Sequence, residues 1–321
     1  MTTAWADRGR VGMASARRYK AQRSSGAGGL ILMYHEIAPV AGDARREISP
    51  TLGVDLFRRQ LRHLRRHYKV VALSELREFG GRRRKGCPIP VALTFDDDLA
   101  SHAVHAAPEL VRLGLPATFF IGGASLCSPS PPWWQDLQAI YDSGSASRER
   151  LWRALATHCP WVDQESDARR LVQAIKMLPR DRLQPIAEVL REIAGTHAVE
   201  RQLASGGLQV LVDGGFDLGF HTLRHEVLQT LGDPDLRRAM CEGRDAIEQT
   251  ARRRLTSIAY PFCAADLRVA AAAAAAGFEL GVVCGSGAVR PGDSPLLLDR
   301  LDGWSDSLGS FALRLARTAT T

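Results

Sequence analysis

The sequence predicts an α/β fold, either a barrel or an open sheet, in which most strands run parallel. Short apolar runs alternate with amphipathic stretches from Gly29 onward, which is the pattern of alternating strands and helices. Polar residues follow several of the apolar runs, and in α/β barrels the reactive groups gather at the carboxyl ends of the strands. With 321 residues, 45% of them hydrophobic, the chain can bury one large core.

Five runs are predicted as strands because they are short, apolar and bounded by glycine, proline or charged residues. They are Leu30 to Tyr34, Val91 to Phe95, Ala117 to Ile121, Phe216 to Phe220 and Ile258 to Phe262.

Two helices are predicted around these strands. Apolar residues recur at helical spacing from Val54 to Leu64, and an alanine-rich stretch of high helix propensity runs from Ala265 to Ala276. Gly277 then stands where a left-handed C-terminal cap belongs. The stretch from about residue 127 to 207 differs in character, opens with a proline-rich run and is predicted as a helical insertion.

Composition sets limits on the partners and the compartment. The net charge of +7 and pI near 9.4 suit phosphate-bearing partners such as a nucleotide sugar, a lipid pyrophosphate sugar or an anionic membrane surface, and charge does not choose among them. Residues 1–28 are predicted to be a basic, disordered tail without a secretory signal, and residues 29–321 the main domain. No apolar run is long enough to span a membrane. The six cysteines form no CxxC pair, so reduced thiols in a cytoplasmic protein are predicted.

Acids and histidines follow two of the predicted strands. Asp96, Asp97 and Asp98 are consecutive, and crowding them is costly unless a cation neutralises them or water solvates them. His221 and His225 lie four residues apart, a spacing that suits a single cation. Two histidines and one aspartate leave a position open for water, as expected of a catalytic zinc site.

These residues resemble the motifs of a known family. Thr94 to Asp98 reads TFDDD and resembles the TFDDG motif of the polysaccharide deacetylases with a NodB-homology domain, also called carbohydrate esterase family four. His221 to His225 matches the family's H(S/T)xxH motif. The resemblance covers roughly residues 29 to 317, apart from most of the insertion, and implies a distorted (β/α) barrel of the NodB-homology type.

The resemblance also implies roles for single residues. Asp96 would be the general base, while Asp97, His221 and His225 would bind one divalent metal ion, with Zn²⁺ the first choice and cobalt or manganese as alternatives. Such a metal lowers the pKa of its water towards about 7 and polarises the acyl oxygen.

Two further motifs complete the implied site. Tyr260-Pro261-Phe262 resembles the third motif, where a backbone N–H near Phe262 would help to hold the oxyanion, but the arginine usual ahead of it is missing. No histidine follows His225, although the family's last motif brings a histidine acid there. In a circularly permuted branch that includes exopolysaccharide deacetylases, the equivalent strand is N-terminal. The run Leu32 to Ile37 resembles that strand, which makes His35 the general acid.

The implied function is removal of an acyl group, first of all N-acetyl, from an amino sugar or a polysaccharide precursor that could be lipid-linked or nucleotide-linked. A carbohydrate partner is expected, nucleic acid is not, and contact of the basic tail with a membrane stays open. The alternatives are an inactive carbohydrate-binding homologue and a hydrolase of a non-sugar C–N bond.

Trp133 and Trp134 could stack on a sugar ring, but burial in the insertion is favoured. Asp98 replaces the family glycine and is expected to tolerate positive φ or to cap a helix.

Overall fold

The computed structural model describes residues 28–76, 87–123, 132–158, 167–195 and 202–319. Nearly all of the predicted basic tail and most of the proline-rich run therefore lie outside the described residues. The predicted boundaries of the tail and of the insertion stay predictions.

Seven of the eleven strands in the described ranges run parallel and form a closed barrel. The strands are β1 (Gly29–Tyr34), β2 (Ile37–Ala38), β3 (Leu52–Gly53), β4 (Lys69–Val70), β5 (Pro90–Phe95), β6 (Thr118–Ile121), β7 (Asp217–Phe220), β8 (Ser257–Ala259), β9 (Leu280–Cys284), β10 (Ala288–Val289) and β11 (Leu298–Asp302). Around the barrel the order is β1, β11, β9, β8, β7, β6 and β5, and β5 pairs with β1 to close it. The predicted α/β barrel is therefore confirmed.

Helices surround the barrel. They are α1 (Val54–His67), α2 (Ala107–Leu113), α3 (Trp133–Asp142), α4 (Ser145–His158), α5 (Ala168–Ile175), α6 (Arg180–Ala194), α7 (Ser205–Asp213), α8 (Asp233–Ala239), α9 (Arg244–Ala251), α10 (Leu267–Ala275) and α11 (Leu308–Thr318). Short turns of other helix types lie at His102–Ala106, Leu228–Thr230 and Pro261–Cys263. Both predicted helices are confirmed as α1 and α10, and Gly277 adopts the predicted left-handed conformation at φ 84°.

Alternation along the strands divides the core into two layers. On β1, Leu30 and Leu32 belong to the large cluster that includes buried residues of the surrounding helices. The residue between them, Ile31, belongs to a smaller cluster with Ala92 and Phe120 of neighbouring strands. Because successive side chains of a strand point to opposite faces, the smaller cluster fills the barrel interior.

The helices α3 to α6 build a second hydrophobic cluster of their own. Trp133 and Trp134 are each only 7% exposed and belong to it, so the expectation that they are buried is confirmed. Asp167 caps α5 by accepting a hydrogen bond from the Arg170 N–H at 2.8 Å. No helix within the described ranges is long and apolar enough to cross a membrane.

Two expectations about the end of the fifth predicted strand are wrong. The strand β8 ends at Ala259, and Pro261–Cys263 forms a turn in which Phe262 has φ 53°. Cys263 is not a reduced thiol, because it forms a disulfide with Cys284, with the two Cα atoms 5.2 Å apart. The sequence hides this pair because its members are 21 residues apart and meet only where β8 and β9 lie side by side.

The strand register collects the polar residues at one edge of the barrel. Tyr34 at the end of β1 pairs with Phe95 at the end of β5, so His35 and Asp96 follow neighbouring strand ends. Ile121 of β6 pairs with Phe220 of β7, which places His221 at the same edge. A residue set spread over most of the chain therefore converges on one site.

Candidate active site

Asp97 lies at the centre of a group of three possible metal ligands. Its Oδ1 is 3.1 Å from Nε2 of His221 and 3.2 Å from Nε2 of His225. The ligand atoms of these three residues all lie within 4.8 Å of one another. The predicted ligand set is thus brought together, in a geometry compatible with a divalent cation.

The hydrogen bonds of His221 explain why this group suits a cation. Its Nδ1 is 2.8 Å from the carbonyl oxygen of Ala259, which can only accept, so Nδ1 must carry the proton. In the neutral ring Nε2 is then a lone-pair acceptor facing a carboxylate oxygen of Asp97, which is also an acceptor. Only a shared proton or a cation between the two relieves that repulsion, and an imidazole anchored through its other nitrogen is the usual arrangement at metal sites.

The electrostatics of the group point the same way. Burial alone would raise the pKa of Asp97, but its interactions with His221 and His225 hold that pKa well below the usual value. Burial opposes protonation of His221, yet Asp97 and Asp96 raise its pKa overall. Because a cation must displace this proton, we expect cation affinity to weaken as the pH falls.

His35 lies beside the group, as predicted. Its Nε2 is 3.9 Å from Oδ2 of Asp97, and its side chain remains 22% exposed. The buried ring of His102 contacts the His35 carbonyl oxygen at 3.2 Å through Nε2. The backbone of His35 is therefore supported from behind while its imidazole faces the cavity.

Sequence reasoning missed Arg300, which pairs with Asp96. Arg300 lies on β11, is only 1% exposed and donates to both carboxylate oxygens of Asp96, at 2.8 Å and 2.6 Å. It also donates to Thr94 Oγ1 at 3.1 Å and lies over the ring of Phe120 inside the barrel. No local pattern in the sequence singles out this arginine, because it stands in the mostly charged run Leu298 to Asp302.

Arg300 keeps Asp96 ionised. Burial raises the pKa of Asp96, but the charges of Arg300 and His221 and the Arg300 hydrogen bonds outweigh it, so the pKa lies below the usual value. A carboxyl whose pKa is lowered by folding stabilises the folded state above its unfolded pKa of about 3.9, and this contribution is lost as the pH falls through the folded value. Asp96 is thus unprotonated at neutral pH.

If Asp96 is the general base that the resemblance implies, replacing Arg300 with methionine is expected to move the acid limb of the pH profile of kcat/KM for hydrolysis to higher pH. Without the guanidinium, burial acts on Asp96 unopposed, so its pKa rises and its ionised form disappears at a higher pH. Breaking a buried pair also costs about 3–5 kcal/mol of stability.

The control is Arg244→Met, because Arg244 is similarly buried but donates to Glu248 and to carbonyl oxygens away from the site. The control should be destabilised and keep the wild-type acid limb. An acid limb of the pH profile that stays unchanged in Arg300→Met would contradict the conclusion that Arg300 lowers the pKa of Asp96.

Aromatic side chains enclose His225. The ring centroid of Trp134 is 4.0 Å from that of His225, and that of Phe262 is 4.7 Å away. Phe262 comes from the turn after β8, and Pro261 starts the same turn. Trp134 therefore belongs to the helical cluster and also forms a wall of the site, a combination that the sequence did not reveal.

A cavity of about 290 Å³ joins these groups. The predicted residues that line it are His35, Asp96, Asp97, His221, His225 and Phe262. Asp302, Trp304 and the disulfide between Cys263 and Cys284 also line it, as do Val172 and Gln173 of α5. The site is therefore built from the barrel edge on one side and from α3 and α5 on the other.

The family model of polysaccharide deacetylase matches residues 191–281, which include His221 and His225. The resemblance to the NodB-type polysaccharide deacetylases is confirmed. The circularly permuted branch stays a prediction. Among curated protein sequences, none matches this chain significantly.

Solved structures share the fold at low sequence identity. The deacetylase PplD of Streptococcus pyogenes, in complex with acetate, is 18% identical with a TM-score of 0.59 and is matched over 89% of this chain and 96% of its own. IcaB of Ammonifex degensii is 17% identical with a TM-score of 0.57, over 92% and 99% of the two chains. BA0330 of Bacillus anthracis, a putative polysaccharide deacetylase, is 15% identical with a TM-score of 0.57, over 88% and 67%. These likenesses support the polysaccharide deacetylase fold.

Proposed function

We propose that this chain is a metal-dependent hydrolase that removes an acyl group, first of all N-acetyl, from an amino sugar of a polysaccharide or of its precursor. The observation that carries the proposal is the group Asp97, His221 and His225, whose ligand atoms lie together in a cavity that Asp96 and His35 also line. A cation ligand set, a carboxylate and an imidazole in one cavity are the parts that amide hydrolysis requires.

Asp97, His221 and His225 would hold the cation, and Zn²⁺ fits two imidazoles and one carboxylate. When bound, it supplies Lewis-acid polarisation of the acyl oxygen and lowers the pKa of a coordinated water. All three residues line the cavity.

Asp96 would act as the general base. As water attacks the acyl carbon, its proton passes to the Asp96 carboxylate, whose oxygens each offer two lone pairs and so can accept a proton while bound to Arg300. Because Arg300 fixes both oxygens from the barrel interior, the carboxylate has one orientation relative to the cavity.

His35 would act as the general acid. When the C–N bond breaks, the leaving nitrogen needs a proton, and the imidazole of His35 faces the cavity beside Asp97. The developing negative charge on the acyl oxygen would be held by the backbone N–H of Phe262, in the left-handed turn next to His225.

The surroundings of the site support a sugar substrate. The half-buried Trp304 lines the cavity with a large aromatic ring, and Asp302 and Gln173 add polar groups that can bind hydroxyls. A lipid-linked or nucleotide-linked precursor and a cytoplasmic location remain predictions. The disulfide between Cys263 and Cys284 argues against a cytoplasmic location, since such bonds are rare in the cytosol.

We expect purified protein to contain one divalent cation per chain and His225→Ala to lose it. Removing one of three ligands leaves too few donors to retain the ion through purification. Elemental analysis and acetate release from N-acetylated oligosaccharides test this together. His67→Ala is the matched control, because His67 is an exposed residue of α1 that also pairs with a histidine four residues away, His63.

The same assay separates the alternatives. A chain that binds the cation and an oligosaccharide without releasing acetate is the inactive carbohydrate-binding homologue. Release of formate from N-formylated compounds, with N-acetyl sugars untouched, indicates the non-sugar hydrolase. Full cation occupancy in His225→Ala would contradict the ligand assignment.

A further inference from the structure

The carboxylate of Asp98 joins the ends of two neighbouring strands. Asp98 follows β5 and is only 6% exposed, and its two carboxylate oxygens accept from the backbone N–H groups of Gly122 and Gly123 at 2.7 Å and 3.0 Å. Both glycines are buried and directly follow β6. The carbonyl oxygen of Asp98 also accepts from the Leu203 N–H at 2.6 Å. Both the side chain and the backbone carbonyl of Asp98 therefore accept hydrogen bonds from other segments of the chain.

The segment that Asp98 holds lies against the histidine turn. A Cβ atom added to Gly122 would lie 2.8 Å from the carbonyl oxygen of Thr222, so the backbone after β6 packs directly on the residue that follows His221. Contact therefore runs from Asp98 through Gly122 to the segment that carries His221 and His225. Asp97 is the residue immediately before Asp98, so all three possible ligands adjoin this chain of contacts.

These segments have unfavourable backbone conformations. Asp97, Asp98, Thr222 and His225 all have positive φ, at 81°, 49°, 60° and 48°. Such conformations cost roughly 1 kcal/mol or more per non-glycine residue, and they persist only where the surroundings fix them. The two hydrogen bonds of the Asp98 carboxylate are among the contacts that fix them here.

We propose that Asp98 is a positioning residue for the cation site, whose carboxylate holds the β6 end against the histidine turn and so sets the separation of Asp97 from His221 and His225. This inference rests on the proposed cation site and goes beyond it, because the resembling motif has glycine at this position and no side chain to do this work. The Asp98 carboxylate bonds to Gly122 and Gly123 instead of capping the following helix, and Asp98 is not among the three possible ligands. Its expected role as a helix cap is therefore wrong, whereas its expected positive φ is confirmed.

The decisive variant is Asp98→Gly. Glycine adopts φ 49° without strain, so this variant removes the carboxylate and leaves the backbone free to keep its course. We expect affinity for Zn²⁺ to weaken by about 10- to 100-fold, the range found when partners that orient metal ligands are lost. Asp98→Asn also tolerates positive φ, but its amide can accept only one of the two N–H groups, so it should lie between Asp98→Gly and the wild type.

The measurement is the Kd for Zn²⁺ in competition with a chelator, together with the absorption spectrum of the Co²⁺-loaded protein, which reports the ligand geometry. Thermal unfolding of the cation-free forms separates loss of stability from loss of affinity. Asp293→Gly is the matched control, because the Asp293 carboxylate also accepts a backbone N–H, from Arg290 at 2.6 Å. That loop follows β10, which pairs with the start of β1 and so lies at the opposite end of the barrel.

Weaker Zn²⁺ binding and a changed Co²⁺ spectrum in Asp98→Gly, with both unchanged in Asp293→Gly, are the expected results. Wild-type affinity and spectrum in Asp98→Gly would overturn the role of Asp98 and leave the proposed function standing. Failure of the unmodified protein to bind Zn²⁺ would overturn both. If Asp98→Gly does not fold, Asp98→Asn decides, and wild-type affinity and spectrum in that variant would overturn the role.

Discussion

Replacing Asp96 with asparagine is expected to lower deacetylation by about 10² to 10⁴-fold while cation content stays at the wild-type level. The amide keeps the shape of the side chain but cannot take the proton of the attacking water. It also places an NH₂ group against the Arg300 guanidinium, where two donors then face each other. The loss should therefore appear in kcat, with Asp97, His221 and His225 still available to the cation.

The measurement is kcat and KM for acetate release, with elemental analysis of the same preparations. Asp299→Asn serves as the control, because Asp299 precedes Arg300 on β11 but its carboxylate accepts from Ser286 instead. The control should keep wild-type turnover. A near-wild-type rate in Asp96→Asn would move the role of the base to another residue.

Replacing His35 with alanine is expected to lower amide turnover by about 10² to 10⁴-fold and to spare an activated aryl ester. An amide nitrogen is a very poor leaving group unless it is protonated, whereas an activated aryl oxide leaves without a proton. The imidazole of His35 lies 3.9 Å from Asp97, so its removal takes away the proton donor and none of the three possible ligands.

The test compares kcat on an N-acetylated oligosaccharide with kcat on an aryl acetate, at equal cation content. His105→Ala is a suitable control, because His105 is a partly exposed histidine on the turn behind β5. Equal losses on both substrates would mean that His35 has a structural or binding role. Unchanged amide turnover would remove it from the mechanism altogether.

The parts of the fold that follow from local pattern could be predicted from the sequence. The run Val91 to Phe95 is apolar except for Thr94 because both faces of a parallel barrel strand are buried, and this made it recognisable. The choice of Asp97, His221 and His225 as ligands depended on the resemblance to the deacetylase motifs, although both motifs do stand at strand ends, after Phe95 and Phe220. Tyr260 marks the limit of this reasoning, because β8 ends before it and Pro261 begins a turn.

The contacts between distant segments could not be predicted in this way. Arg300 reads as one more charge in a basic chain, and only the closing of β11 onto β1 brings it to Asp96. The Asp98 carboxylate has its partners just after the neighbouring strand β6, at Gly122 and Gly123, and no periodicity of the sequence indicates such a pairing. These are interactions of tertiary structure, and each depends on a register that the local sequence does not specify.

The position of β1 has a consequence for how the protein folds. β1 is hydrogen-bonded to β5 on one side and to β11 on the other, so the first strand and the last described strand are neighbours. Because contacts so distant in sequence must overcome a large loss of chain entropy before they add stability, we expect barrel closure to be a late event in folding. Until β11 docks, Asp96 has no guanidinium partner and must remain hydrated. During synthesis β11 is also the last of these strands to leave the ribosome. We therefore expect the Asp96 carboxylate to gain its pairing with Arg300 only in the final step of folding.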